Sequence, residues 1–382
     1  MTSAFPAHPA IGELVASSGL YSSGLTRREL AVAVRAGALV RVRYGWYVSR
    51  EVWEQLPAAD RHLLTVLAAN RSALEAPTFS HRSAATLHGL PVWSPWLHAA
   101  GSHGARSAGS AGSRRQRASA SGPDPSIAHT TVSPPGRVSS SRALVRHSSA
   151  LPDADVEAWD ELGRQELSRP LRLTTADRTL ADLAATAPFT VALACADHYL
   201  REIARVGRQI DVATVAEWRD AMLHRSALKR GRPGSLALFA VALLADPRAD
   251  SPLETLSRLR FAQLGVDVEL QVPVHGRDGR SSFFLDFELS GRGFWGEADG
   301  KQKYVGAETR RGRSADEVVY AEKRRAEWIA GSTGLKPIRW GASEVLTLAG
   351  FSSHLEAHGV QVPGTPSLRW GPGVAGFLRG LP

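Results

Sequence analysis

Four acidic residues in the last third of the 382-residue chain stand where chemistry can use them: Glu254, Asp286, Glu297 and Asp299. Glu254 falls in the first turn of a helix that Ser251 caps and Pro252 opens, in "SPLETLSRLRFAQLG". Asp286 interrupts the apolar run "FFLDFEL", a strand pattern, and Glu297 stands near the end of the next run, "GFWGEA". Aspartate suits a strand interior poorly and is costly to bury unpaired, so its presence there calls for a partner. A divalent cation is such a partner. Asp286 and Glu297, on adjacent strands, offer hard oxygen ligands to Mg2+, with waters and a substrate phosphate completing an octahedron. A metal held there stabilises negative charge in the transition state and promotes an attacking hydroxide. A competing assignment pairs Asp286 and Glu297 with Arg292, Arg280 or the nearby lysines in an inert domain, and leaves Glu254 to serve the helix dipole alone.

The elements that must position these acids follow from periodicity and punctuation. A helix from Ser251 to Gly265 precedes three strand-like runs, Val266–Val274, Ser282–Leu289 and Gly293–Ala298, separated by the turns "HGRDGR" and "SGRG". The charged amphipathic helix "EVVYAEKRRAEWIAGSTG" and a last strand, "LKPIRW", complete a helix, three strands, helix and strand, an α/β core. Upstream, "SLALFAVALLAD" reads as a helix, and "TTADRTLADLAATAP" as a Thr-capped helix stopped by Pro188.

At the other end of the chain, Ala10–Ser18 reads as a short helix ended by Gly19. Thr26, with Glu29 three residues on, forms a capping-box pattern that opens a second helix running to Gly37. "LVRVRYGWYVS" then alternates Leu39, Arg41 and Arg43 with Val40 and Val42 before turning at Tyr44 and Gly45. Helix, turn, helix and basic hairpin together make a small winged helix-turn-helix. "SHRSAATLHGLP" reads as a further helix whose His81 and His88 serve core or capping roles, and Trp328 and Trp340 read as core. Residues 100–126 are rich in Ser, Gly, Ala and Arg, cannot repay the entropy of ordering, and read as a disordered insertion. The expected organisation is α+β overall: a winged-helix domain over 1–55, a mixed middle region over 56–225, and an α/β domain over 226–382.

Forty-six Lys and Arg against 37 Asp and Glu give a formal net charge of +9, which favours polyanionic partners without choosing among them. Cys195 is the single cysteine, read as a small buried hydrophobe, so an intramolecular disulfide or a cysteine-based zinc site is excluded and a reducing cytoplasm fits. The opening residues lack a secretory pattern, and the apolar run Leu236–Ala245 is too short to cross a bilayer, so no membrane partner is expected.

The stretch from "SPLETLSRLR" through "FFLDFEL" to "GEADGKQKY" resembles bacterial domains related to the very-short-patch repair endonuclease, within the PD-(D/E)XK superfamily. The resemblance implies a restriction-endonuclease-like fold and Mg2+-dependent DNA cleavage. Glu254 takes the position of the helical acid, Asp286 that of the strand aspartate and Glu297 that of the second metal-ligand acid. Asp299 stands where the family usually has a lysine that orients or activates the water, a charge that Lys301 or Lys303 would have to replace. "GLTRRELAVAVRAGALVRVRYGWYV" closely resembles the N-terminal winged helix of the AbiEi family of antitoxins, which bind promoter DNA and repress toxin–antitoxin operons. "SHRSAATLHGLP" and "LTTADRTLADLA" resemble the rest of that region. The resemblance implies double-stranded DNA and a cognate toxin as partners, with Arg27, Arg28 and Arg35 on the recognition helix and Arg41 and Arg43 on the wing meeting DNA. Arginine pairs bidentately with guanine or clamps phosphates, and Thr26 at the helix N-terminus favours a phosphate contact.

Overall fold

In the computed structural model, residues 12–101, 122–136, 139–159, 170–277, 279, 282–299 and 315–382 are described. The fold is mixed α and β and forms two compact units, one of residues up to 93 with 123–186, the other of residues 94–122 with 187–382. Of the insertion expected over 100–126, residues 102–121 lie outside the described residues.

The first unit opens with β1 (Val15–Ala16), α1 (Ser17–Ser22), α2 (Arg27–Arg35), β2 (Leu39–Arg43) and β3 (Trp46–Ser49). The first helix differs from expectation. Val15 and Ala16 pair antiparallel with Tyr47 and Trp46, so their backbone groups join a sheet ordered β1-β3-β2. The helix then starts at Ser17, and Gly19, expected to stop it, lies inside it. Long-range pairing here outweighs a weak local pattern. In α2 the capping box forms as expected: Thr26 Oγ1 accepts from the Glu29 N–H, and the Glu29 carboxylate accepts from the Thr26 N–H at 2.7 Å.

The unit continues through α3 (Arg50–Gln55), α4 (Ala58–Ser72), β4 (Thr78–Phe79) and α5 (His81–Leu87). Helix α6 (Pro95–Ala100) follows in the chain but belongs to the second unit. The chain returns with β5 (Ala128–Val132), β6 (Leu144–Ser148), β7 (Val156–Trp159), β8 (Leu171–Thr174) and α7 (Ala176–Thr186). Among the described residues, these strands form a sheet ordered β6-β5-β4-β8-β7. Leu63, Leu64 and Leu67 of α4, Phe79, Leu87, Leu171 and Leu173 pack into one core with Val42 and Val48 of the N-terminal hairpin.

The second unit runs through α8 (Phe189–Ala204), β9 (Arg205–Val206), β10 (Gln209–Ile210), α9 (Val212–Leu228), α10 (Ser235–Leu244) and α11 (Pro252–Leu264). It continues with β11 (Val268–His275), β12 (Ser282–Leu289), β13 (Phe294–Ala298), α12 (Ala315–Thr333), β14 (Lys336–Trp340), α13 (Ala342–Val345), α14 (Leu348–Ala357) and α15 (Pro372–Arg379). The sheet order is β11-β12-β13-β14, with β11, β12 and β13 antiparallel and β13 parallel to β14 across α12. A parallel pair needs such a crossover. One face of the sheet carries Leu285 and Trp295 against Ile329 of α12. Phe261, Phe287, Trp340 and Phe351 form an aromatic cluster with α11 and α14. Trp340 is thus core, as its pattern implied, while Trp328 is half-buried and donates Nε1 to the His275 carbonyl at 2.9 Å. Cys195 is buried, and burial pushes its thiol upward, as fits a packing residue. Among the described residues, no helix is long and apolar enough to cross a membrane.

Candidate functional site

Ser251 caps α11 by accepting from the Glu254 N–H at 3.2 Å, and this fixes Glu254 in the first turn. The Glu254 side chain is buried, only 1% exposed. Its Oε2 accepts from the Asp250 N–H at 2.9 Å and from Gln271 Nε2 at 3.3 Å, and its Oε1 accepts from Ser251 Oγ at 2.9 Å. Burial first, and then the negative charge of Asp286, push Glu254 up to about 7. Two acids that the sequence separates by a helix and a strand are therefore electrostatic neighbours.

Asp286 lies at a break in the sheet. Leu285 packs toward α12, yet Phe287, two residues on, packs against Phe261 and Trp340. In a regular strand these two share a face. On β11 the registered pairs are Leu270 with Phe287 and Val272 with Leu285, leaving Gln271 opposite Asp286. Gln271 has φ +55°, a left-handed conformation that a side chain adopts only at some energetic cost. On the other side, pairing with β13 reaches Phe287 and Gly296, so the next positions outward are Asp286 and Glu297. There the Asp286 carboxylate replaces ladder pairing by accepting from the Ala298 N–H at 3.0 Å. The strand aspartate thus has a backbone donor as one of its partners.

Glu297 is engaged differently. Its Oε1 accepts from Arg325 Nη1 of α12, and its Oε2 meets Arg339 Nε of β14 at 3.1 Å. Both arginines also reach Glu322, and Arg325 Nη2 donates to the Phe284 carbonyl at 2.9 Å. The Arg292 partnership considered from sequence is not the one formed, because Arg292 donates to the Gln361 carbonyl, and Arg280 lies outside the described residues. Asp299 is half-buried, with its N–H donated to the Trp340 carbonyl at 2.8 Å. Lys301 and Lys303 lie outside the described residues.

The donor set fits Mg2+ in type. Asp286 and Glu297 supply hard carboxylate oxygens, and the electrostatic repulsion between Asp286 and Glu254 is one that a divalent cation would relieve. Both oxygens of Glu254 accept hydrogen bonds, and both oxygens of Glu297 are engaged by Arg325 and Arg339, so a metal ion at Glu297 would share that carboxylate with the two arginines. Among the described residues, no cluster of three or more His, Cys, Asp or Glu side chains is arranged to hold a metal. Mg2+ commonly takes only one or two carboxylates, completing its shell with water and substrate phosphate.

In the first unit, Arg27, Arg28, Arg35 and Arg41 are exposed, and α2 and the β2–β3 hairpin carry them. A bulge between Arg41 and Arg43 shifts the register, and Arg43 is half-buried, so the simple alternation expected for the hairpin ends at Val42. Burial, and then the nearby positive charge of Arg146, hold the Arg43 guanidinium below its usual range. Arg146, on β6, was not singled out from sequence, since 102 residues of chain separate it from Arg43. Its guanidinium donates Nη1 to the Ser139 carbonyl at 2.8 Å. Tyr44 at the hairpin tip is 87% exposed. Thr26 is taken up by its capping box, so its hydroxyl is a structural group.

His81 is buried in the core and His88 is the half-buried C-cap of α5, the two roles read from sequence. The His81 ring stacks on His147 with centroids 3.5 Å apart, and His88 Nε2 donates to the Thr174 carbonyl at 2.8 Å. No protein-family model matches this chain, and no curated protein is found to match it.

Proposed function

We propose that the chain binds double-stranded DNA through its N-terminal helix and hairpin and cleaves DNA phosphodiesters in a Mg2+-dependent reaction centred on Asp286. The reading deepens the resemblance of the two regions to AbiEi-type antitoxins and to PD-(D/E)XK nucleases, and it places the protein in the cytoplasm. The observation that carries it is the break in the sheet at Asp286. Strained Gln271 on one side, Glu297 on the other and buried Glu254 beneath converge on one carboxylate. Strained backbone beside a buried acid and a second, half-buried acid of like charge is difficult to explain by packing alone.

In this mechanism Asp286 and Glu297 would hold the ion. Bound Mg2+ would polarise the phosphate and favour a hydroxide nucleophile. Asp286 is fixed by the Ala298 N–H, Glu254 is fixed by its capping contacts, and Arg325 and Arg339 orient Glu297. Incubation of the purified protein with supercoiled plasmid is expected to yield nicked or linear DNA with Mg2+ and none with chelator. Asp286→Ala is expected to lower the rate by about 100-fold or more, the scale of losing transition-state charge stabilisation. Undiminished cleavage by Asp286→Ala in a preparation free of host nuclease would remove the assignment.

A specific feature favours a second reading, a non-enzymatic repressor with a retained nuclease-like fold. Asp299 stands at the usual lysine position, and Glu297 is held between two arginines. Selective binding to the protein's own upstream DNA with no metal-dependent cleavage would decide for it.

A further inference from the structure

The β9–β10 hairpin turns at Gly207, whose φ of +62° is open to glycine, and delivers Arg208 to the outer strand β11. The Arg208 guanidinium donates Nη1 to Gln271 Oε1 and lies 3.6 Å from Asp250 Oδ2. Its Cζ stands 4.2 Å from the centre of the Phe284 ring. Gln271 is the strained residue opposite Asp286, and its amide nitrogen donates to Glu254. One carboxamide therefore joins a surface arginine to the buried acid beneath Asp286. The carboxamide oxygen accepts from the cation and its nitrogen donates to the acid.

The charges around the acids are unequally committed. Arg325 and Arg339 are paired with Glu297 and Glu322. Arg205 is paired with Asp250 and donates to backbone carbonyls. Arg208 shares Asp250 with Arg205, so that trio keeps one net positive charge. Its side chain is 46% exposed, and its contacts to Gln271 and Asp250 both use Nη1. Among the described residues, no partner meets Nε or Nη2, which leaves them open to an anion. Arginine resting on an aromatic face, with two donors left over, is well suited to a phosphate.

We propose that Arg208 is a phosphate-binding residue of this site, contacting the backbone of a nucleic-acid strand that reaches Asp286 and supplying the positive charge that Asp299 cannot. The proposal rests on the nuclease reading above for its consequence in catalysis, but the phosphate contact itself can be measured separately. Full-length protein would be titrated with a short duplex and with the corresponding single strand over a range of KCl, with Ca2+ in place of Mg2+. For Arg208→Ala, binding is expected to weaken roughly tenfold, and the log-log salt dependence on duplex to flatten by about 0.9, the loss of one phosphate contact. Arg208→Lys is expected to restore the salt slope and only part of the affinity, since lysine keeps the charge and loses the fork.

Arg208→Gln keeps a polar amide on the aliphatic stem and removes the charge: it is expected to fold with an unchanged melting temperature and to bind like Arg208→Ala. Unchanged affinity and slope in both Arg208→Ala and Arg208→Gln would overturn the proposal and leave Arg208 as a prop for Gln271. A flattened slope in a protein that never cleaves with Mg2+ would sustain the phosphate contact while removing the nuclease reading. Absence of nucleic-acid binding by the unaltered protein would remove both.

Discussion

At the scale of single residues, type and local spacing identified the acids, but not which of them are neighbours. Asp286 in "FFLDFEL" was conspicuous because an acid is misplaced in an apolar strand, and the structure gives it a backbone donor and a like-charged neighbour in Glu254. Gln271 carried no sequence signal. Its importance lies in a backbone angle, which side-chain chemistry does not encode. Arg146 was equally silent, since its partnership with Arg43 depends on how β6 lies within the first unit. Arg43→Ala and Arg146→Ala are each expected to flatten the salt dependence of duplex binding by about 0.9, measured by fluorescence anisotropy over a KCl series. An effect of Arg43→Ala alone would limit the basic surface to the hairpin. The histidines give a second residue-level expectation. Burial holds His62 and His147 at about 4 and His129 at about 2, all below their ordinary value of 6.5. His129 Nδ1 and His147 Nε2 are 3.1 Å apart, within hydrogen-bond distance. With folded values depressed, the unfolded chain takes up protons first as pH falls. The stabilisation is complete above the unfolded value and is lost progressively between about pH 6.5 and 4, at about 1.4 kcal/mol per pH unit for each histidine that stays neutral. Urea melts read from the first unit should therefore lose stability steeply over that window, and a flat profile there would contradict the burial of these rings.

At the scale of elements, most of the second unit was legible because its boundaries carry strong punctuation. Ser251, Pro252 and Gly265 bracket α11 as expected, and the strands over Ser282–Leu289 and Phe294–Ala298 agree closely with their apolar runs. The break in alternation at Asp286 was not legible, because "FFLDFEL" is apolar on both sides and cannot say which residue faces which helix. The first helix failed for another reason: Val15 and Ala16 have a partner in β3 that lies some thirty residues away, beyond any local window. The close packing of β13 on β14 was hidden too, although its cause is one glycine. A Cβ at Gly296 would stand 2.2 Å from Trp340 Cη2, against the fully packed aromatic cluster. Gly296→Ala is expected to destabilise the second unit by about 1–3 kcal/mol, the usual penalty for overpacking, as read from urea denaturation followed by tryptophan fluorescence. A neutral result would mean that Trp340 can retreat, and with it the Ser257 hydroxyl that accepts its indole N–H at 2.7 Å.

At the scale of the whole molecule, composition established a basic protein with enough apolar residues for more than one core, and the structure resolves two units whose boundaries cut across the expected middle region. The reason is that α8 belongs to the second unit through a buried ionic contact that no local pattern announces. Asp197 of α8 accepts both oxygens' worth of bonds from Arg258 Nη2 of α11, at 2.9 and 2.7 Å, and also accepts from Thr255 Oγ1 at 2.7 Å and the Asp246 N–H at 2.8 Å. Arg258 and Asp197 are both buried, 6% and 1% exposed. "ACADHYL" and "LSRLRF" read separately as helix faces, and only the tertiary fold shows that one acid and one base meet 61 residues apart. Removing one member of such a pair leaves an uncompensated buried charge, which costs about 3–5 kcal/mol, far more than the net worth of the intact pair. Asp197→Ala is therefore expected to lower the melting of the second unit severely, and hydrogen exchange should find lost protection in α8, α10 and α11 while the amides of β4, β5 and β8 in the first unit keep theirs. Replacing both partners, Asp197→Leu with Arg258→Met, should recover most of the loss, because no charge is then stranded in the core. Recovery by the double replacement would assign the pair to the architecture that carries Glu254. Failure to recover would mean that its hydrogen bonds to Thr255 and Asp246 specify the helix packing beyond charge balance.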